Sequence, residues 1–185
     1  MRIIFVRHGE SENNAKLTSE EDSSITRRGK LQAEHLGKDL KKQDISTIYT
    51  SNLLRARETG EILSKIIKVP IKGNFEELGE YSGKYLRSRL KLLFNKRLKR
   101  LKKLLDKISK DREKDKTILI VAHGITNKII IGYLLQIPLR RQLLRLTQHN
   151  TCINIMSWNK HYNNWTLESM NNVAHLPKKL VGYRK

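Results

Sequence analysis

Two histidines in this chain each end a run of residues suited to a buried strand, and each is followed by glycine. Arg7-His8-Gly9-Glu10 comes directly after Ile3-Ile4-Phe5-Val6. Ala122-His123-Gly124 comes directly after Thr117-Ile118-Leu119-Ile120-Val121. Short apolar, partly β-branched runs of this kind fit buried strands. In an open α/β sheet the strand ends are where ligands sit, so Arg7 and His8 are expected to project into a site. A guanidinium beside an imidazole there suits a phosphate: the cation holds the oxygens while the ring nitrogen attacks phosphorus. Gly9 is read as the residue that lets the backbone turn closely around the incoming group. One His-Gly at a strand end is explained by packing and a hydrogen bond; two are harder to explain that way. Between them, Ser51-Asn52-Leu53-Leu54-Arg55-Ala56-Arg57-Glu58-Thr59 follows a third strand-like run, Thr47-Ile48-Tyr49-Thr50.

The intervening segments supply the elements that must position these ends. Thr26 is a suitable N-cap for a helix to about Lys42, with Leu31, His35, Leu36 and Leu40 as its apolar stripe. A strand over 46–50 leads into a helix over 53–67 with Ala56, Thr59, Gly60 and Leu63 on its inner face, and Pro70 ends the run. Residues 71–77 read as a less regular strand, with Gly79, Tyr81 and Gly83 marking a turn. The strand over 117–121 is followed by a helix through Ile125, Ile129, Ile130 and Leu134, closed by Pro138. Residues 151–158 and 165–170 read as closing strands around a polar turn. Alternating strands and helices predict an α/β fold with a mostly parallel, doubly wound sheet.

Size and composition limit the possibilities. At 185 residues the chain is expected to form one domain, 1–185. A lone cysteine, Cys152, excludes an internal disulfide and fits a reducing, cytoplasmic setting. No apolar leader precedes the first strand, and no apolar run is long enough to span a membrane. The net charge is +20, and residues 84–116 hold 15 Lys/Arg against 4 Asp/Glu, so +11 falls within that stretch. The same segment is amphipathic over about 84–112, with Leu86, Leu90, Leu93, Phe94, Leu98, Leu101, Leu105 and Ile108 at helical spacing. Its basic face is either a solvated helix surface or an electropositive rim that attracts anionic substrates. A nucleic-acid partner would call for aromatic or loop elements that contact bases, and these are missing here.

Taken together, these stretches resemble the histidine phosphatase superfamily, the phosphoglycerate-mutase-like family. The resemblance extends to Ile25-Thr26-Arg27-Arg28-Gly29-Lys30-Leu31-Gln32-Ala33, to Asn150-Thr151-Cys152-Ile153 and to Asn172-Val173-Ala174-His175-Leu176. It covers nearly the whole chain in order. It implies a three-layer α/β/α sandwich with the basic helical insert as a lid. It also implies that His8 is the nucleophile, forming a phosphohistidine that water then hydrolyses. Arg7, Arg55 and His123 are the matching phosphate-binding cations, His123 when protonated, and Asn14 falls on the family's asparagine. The resemblance implies no metal, the sequence has no clustered carboxylates or His-x-x-x-His spacing to suggest one, and no cofactor is expected for this chain. His35, His149, His161 and His175 are read as packing, loop or tail residues.

Two departures stand out. The family carries its general acid, a glutamate, four residues before a loop glycine, and register on Gly79 puts Phe75 there. A shortened loop would substitute Glu76 or Glu77, with Glu77 keeping the apolar-x-Glu order. The insert is also short and lacks the Gly-Gly-Glu-Ser motif of family mutases, which favours hydrolysis of a small anionic phosphate ester. A bisphosphoglycerate-dependent phosphoglycerate mutase, a phosphohistidine phosphatase and a basic nucleic-acid-binding protein on the same scaffold are the alternatives. Neither the physiological ester nor the oligomeric state is written in the sequence.

Overall fold

A computed structural model describes residues 1–81, 91–112, 114–138 and 146–182. The first strand, β1 (Arg2–Arg7), is buried from Ile3 onward. It lies between β4 (Thr117–Ala122), which runs parallel to it, and β5 (Ile153–Asn159), which runs antiparallel. Beyond β4 come β2 (Ile45–Ser51) and then β3 (Ile71–Phe75), both parallel; beyond β5 lies β6 (Asn164–Asn172), antiparallel. The six strands run in the order β3-β2-β4-β1-β5-β6. Strands covered on both faces are apolar along their whole length rather than alternating. This is why β1 and β4 stand out so clearly in the sequence.

The two faces are covered by different helices. Leu36 and Leu40 of α1 (Arg27–Leu40) and Ala56 and Leu63 of α2 (Leu54–Ile67) pack with Ile4, Val6, Leu119 and Val121. Phe94, Leu101 and Leu105 of α3 (Lys91–Ile108) and Ile129 and Ile130 of α4 (Gly124–Leu134) pack with Ile3, Phe5, Ile118 and Ile120. Successive residues of β1 and β4 thus feed opposite layers, as the two-residue period of a strand requires. The fold is the three-layer α/β/α sandwich, with a mostly parallel, doubly wound sheet.

Three expectations change. In α1, Leu31 is 42% exposed, while Arg28, Gly29 and Gln32 are buried. That face of α1 meets the loop after β1 and the chain's tail rather than the sheet. Arg28 Nη1 pairs with Glu10 at 2.7 Å and donates to the Gly182 carbonyl, and Gln32 Nε2 donates to that of Leu180. Next, β3 stops at Phe75, and Glu76–Leu78 forms a 3-10 turn with Leu78 buried. Finally, over residues 91–108 the insert is a core layer of the sandwich rather than a lid, since Phe94, Leu101, Leu104, Leu105 and Ile108 are all buried. Leu86, Leu90 and the side chain of Leu93 lie outside the described residues.

Candidate active site

Strand register brings the two His-Gly turns together. Arg7 pairs with Ala122 across β1 and β4, so His8 and His123 leave the sheet side by side. The His8 N–H donates to the Ala122 carbonyl at 3.0 Å, and the two rings lie 5.0 Å apart between centroids. The end of β2 adds Ser51, whose Oγ is 2.9 Å from His123 Nε2. One turn further on, α2 delivers Arg55, whose Nε–H donates to His8 Nε2 at 3.2 Å. Arg7 Nη1 donates to the Gln148 carbonyl at 2.7 Å. Arg7, His8, Arg55 and His123 are all buried.

The surroundings fix the state of His8. Gly9 O lies 2.7 Å from His8 Nδ1, and a carbonyl oxygen can only accept, so Nδ1 carries the hydrogen. Nε2 therefore presents its lone pair, the form a nucleophilic imidazole needs. Burial, then His123, Arg7 and Arg55, hold the His8 pKa well below its ordinary 6.5. Burial, followed by Arg55, Arg7 and Arg97, does the same to His123. These surroundings disfavour the protonated form of His123, which is expected as a third cation when protonated. Its Nδ1 is buried without a hydrogen-bond partner among the described residues, which leaves that atom for an incoming group.

The loop carrying His8 is held from several sides. Thr59 Oγ1 accepts the Gly9 N–H at 3.0 Å and donates to the Arg55 carbonyl at 2.7 Å. Asn150 Nδ2 donates to the His8 carbonyl at 3.0 Å and to Asn14 Oδ1 at 3.2 Å. Asn14 thus sits beside the nucleophile's backbone with its amide NH2 left to donate. Thr151 donates its N–H to the Arg7 carbonyl at 3.0 Å from a left-handed backbone conformation, φ 56°. A β-branched residue adopts that conformation only where its surroundings enforce it. Strand-end spacing gives no role to Asn150 and Thr151; the Asn150-Thr151-Cys152-Ile153 run is the signal for them. Gly9 also has a different role from the one expected. A Cβ there would lie 2.5 Å from the Gly29 carbonyl oxygen, so glycine is required by the approach of α1 rather than by the incoming group.

The structure does not bring the two acid candidates onto the His8 cluster. Arg100 of α3 binds Glu76 Oε2 at 2.8 Å and Glu77 Oε1 at 3.4 Å, and the two side chains are 66% and 25% exposed. The carboxylate that turns inward is Glu80. Its Oε1 accepts the N–H of Ile125 at 3.1 Å and that of Tyr81 at 3.2 Å. Burial raises its pKa above the usual glutamate value, against the opposing effects of Arg7, the Ile125 N–H and Arg55. Glu80 and Arg55 line a cavity of about 600 Å³ with Asn13, Asn52, Tyr81 and Arg97, and Glu21, Asp22 and Glu76 also reach it. Arg97 comes from the basic insert, lies 4.3 Å over the Tyr81 ring and donates to the Glu80 carbonyl at 2.8 Å. The flanking turn markers Gly79 and Tyr81 were the available signal for Glu80.

A model of the histidine phosphatase superfamily (branch 1) matches residues 3–92 and 93–173. A probable phosphoglycerate mutase, GpmB, of Photorhabdus laumondii is 27% identical over 207 residues, covering 95% of each chain. The solved structure of a mycobacterial glucosyl-3-phosphoglycerate phosphatase matches with a TM-score of 0.75 at 18% identity, over 92% of this chain and 98% of that one. The alpha-ribazole phosphatase of Shigella flexneri matches with a TM-score of 0.75 at 20% identity, over 94% and 98%. At these identities the structural likeness is one of fold.

Proposed function

The chain belongs to the histidine phosphatase superfamily, and from that premise we propose that it is a metal-independent phosphomonoesterase working through a phosphohistidine on His8. The observation that carries this reading is the hydrogen bond from His8 Nδ1 to Gly9 O, which leaves the Nε2 lone pair facing Arg55. A phosphate ester is hydrolysed very slowly unaided, and enzymes accelerate such reactions by up to ~10²¹-fold. Most of that comes from positioning and from charge facing the transferring oxygens. Arg7 and Arg55 supply the charge. A phosphoryl group entering the site competes with Nε2 for the Arg55 Nε–H, so binding the substrate also uncovers the nucleophile. Its negative charge favours protonation of His123, which then donates from both ring nitrogens. Asn14 supplies an amide N–H2 to the same group or to the bridging oxygen.

Arg7 and Arg55 beside His8 support a small anionic ester as substrate, while the adjoining cavity wall sets Arg55 and Arg97 among Glu21, Asp22, Glu76 and Glu80. None of the described helices is long and apolar enough to cross a membrane. A cytoplasmic setting fits a chain with a single cysteine, Cys152, which is free and buried.

A mutase is the second reading, favoured by the name of the Photorhabdus relative. Against it, a mutase must retain and reorient a bisphosphate while excluding water. The apolar side of the described part of the insert is committed to the core, and Arg97 is the residue it places in the cavity wall. Incubation with 3-phosphoglycerate and 2,3-bisphosphoglycerate separates the two: release of inorganic phosphate marks the hydrolase, isomerisation without release the mutase. For the hydrolase, a panel of phosphate esters assayed with and without chelator should show turnover that chelation leaves unchanged. His8→Ala should abolish it while the protein stays folded. Substantial turnover by a well-folded His8→Ala protein would remove the proposed nucleophile.

A further inference from the structure

Ser51, the last residue of β2, is fully buried beside the second histidine. Its Oγ meets two groups among the described residues. The Leu53 N–H donates to it at 3.2 Å, and His123 Nε2 lies 2.9 Å away. We propose that Ser51 is a positioning residue whose hydroxyl holds His123 as the Nδ1–H tautomer, so that the ring donates to the transferring phosphoryl group without first gaining a proton. This proposal rests on the phosphohistidine reading above and says how the second histidine serves it.

Counting hydrogens decides the tautomer. A serine hydroxyl has one hydrogen to donate and two lone pairs with which to accept. The Leu53 N–H can only donate, so it takes one of the lone pairs. The acceptor left for the Ser51 hydrogen is His123 Nε2, and a buried donor without an acceptor is costly. A neutral imidazole carries a single N–H. With Nε2 accepting from Ser51, that hydrogen sits on Nδ1. Nδ1 is buried with no partner among the described residues, so its hydrogen is the one available to a phosphoryl oxygen.

The two rings then complement each other. His8 has Nδ1 tied to the Gly9 carbonyl and presents a lone pair from Nε2. His123 has Nε2 tied to Ser51 and presents a hydrogen from Nδ1. The rings stand 5.0 Å apart, so one supplies the nucleophile and the other a donor to the same group. The opposite tautomer would turn a lone pair of His123 toward oxygens that carry negative charge. Protonating the ring beforehand is opposed by burial and by Arg55, Arg7 and Arg97, and His8 beside it is held well below its ordinary pKa. When the bound group's charge adds a second proton at Nε2, the Ser51 hydroxyl turns and accepts that N–H, and the donor at Nδ1 is unchanged. Leu53 is the N-cap of α2, and a serine hydroxyl bonded two residues on is a turn device in its own right. The same Oγ therefore ties His123 to the start of the helix that delivers Arg55.

Because Ser51 also braces that turn, the test must separate tautomer from brace. In ¹⁵N NMR of histidine-labelled wild-type protein at pH 7.5, the His123 signals are identified by their absence from His123→Gln. Nδ1 should show the shift of a protonated, pyrrole-type nitrogen and Nε2 that of an unprotonated, pyridine-type one. That measurement needs no change at Ser51 and stands if a Ser51 variant fails to fold. Ser51→Ala should move His123 toward the Nε2–H form that free imidazole side chains favour. It should also lower kcat/KM for 4-nitrophenyl phosphate and weaken inhibition by inorganic phosphate, each by about three- to tenfold, the worth of one hydrogen bond. Ser51→Thr keeps the hydroxyl and should restore the Nδ1–H tautomer and most of the activity. Protonation of Nε2 in the wild type, alone or together with Nδ1, would overturn the role of Ser51. So would a folded Ser51→Ala protein that keeps the wild-type tautomer or the wild-type kcat/KM. In each of these cases phosphoenzyme on His8 would still form and the phosphohistidine reading would stand; its absence from the wild type would instead overturn that reading.

Discussion

Arg55 and Arg57 leave the same helix two residues apart and have opposite surroundings. Residues at that spacing do not share a helix face. Arg55 is buried against His8, whereas Arg57 is exposed. Loss of one preorganised charged contact to a transferring group costs roughly 3 kcal/mol. Arg55→Ala should therefore lower kcat/KM by about 100-fold or more, and Arg57→Ala should leave it close to wild type. Equal impairment of the two variants would put the arginine contact elsewhere. His8, His123 and Arg55 were legible in the sequence because each sits at a fixed offset from a strand end. Glu80 was not. Three glutamates lie within five residues, and Arg100 pairs with two of them, Glu76 and Glu77. That is a contact made by a distant helix; the turn markers Gly79 and Tyr81 frame Glu80 without saying which way it faces.

At the scale of elements, α3 combines two roles. Its apolar side is a layer of the core; its other side carries Lys96, Lys99 and Lys103 into solvent. Charges of one sign near a site raise the encounter rate with anions, and salt screens the effect. Replacing those three lysines by glutamine should lower kcat/KM for multiply charged esters at low salt, with wild type and variant converging as salt rises. Superimposable salt profiles would leave the basic face as a solvated surface. The helix itself was readable from its leucine spacing, and the inner face of α2 from Ala56, Thr59, Gly60 and Leu63, all of which are buried. The inner face of α1 was not, because Arg28 and Gln32 are buried by polar contacts to Glu10 and the tail that hydrophobic periodicity does not detect.

Across the whole molecule, protonation ties stability to the site. Burial keeps His8 and His123 well below their ordinary 6.5 and holds His175 at about 4. Below 6.5 the unfolded chain takes up protons that the folded protein refuses. Stability is therefore fully present above 6.5 and is lost as pH falls toward the folded values. Glu80, raised above its usual value, acts in the opposite sense, but as one group against three. Urea unfolding at pH 7.5 and 5.5 should show the lower stability at 5.5, and inorganic phosphate, by binding only the folded site, should raise stability at both. Equal stability at the two pH values would mean that the histidines are not held neutral. The most direct test of the phosphohistidine mechanism is a rapid quench of wild-type enzyme with a ³²P-labelled phosphate ester, followed by mapping of the label. The expected result is an acid-labile, alkali-stable phosphoryl group on the peptide that contains His8, absent from His8→Ala. Turnover without any labelled protein on that timescale, or label on a residue other than His8, would contradict it.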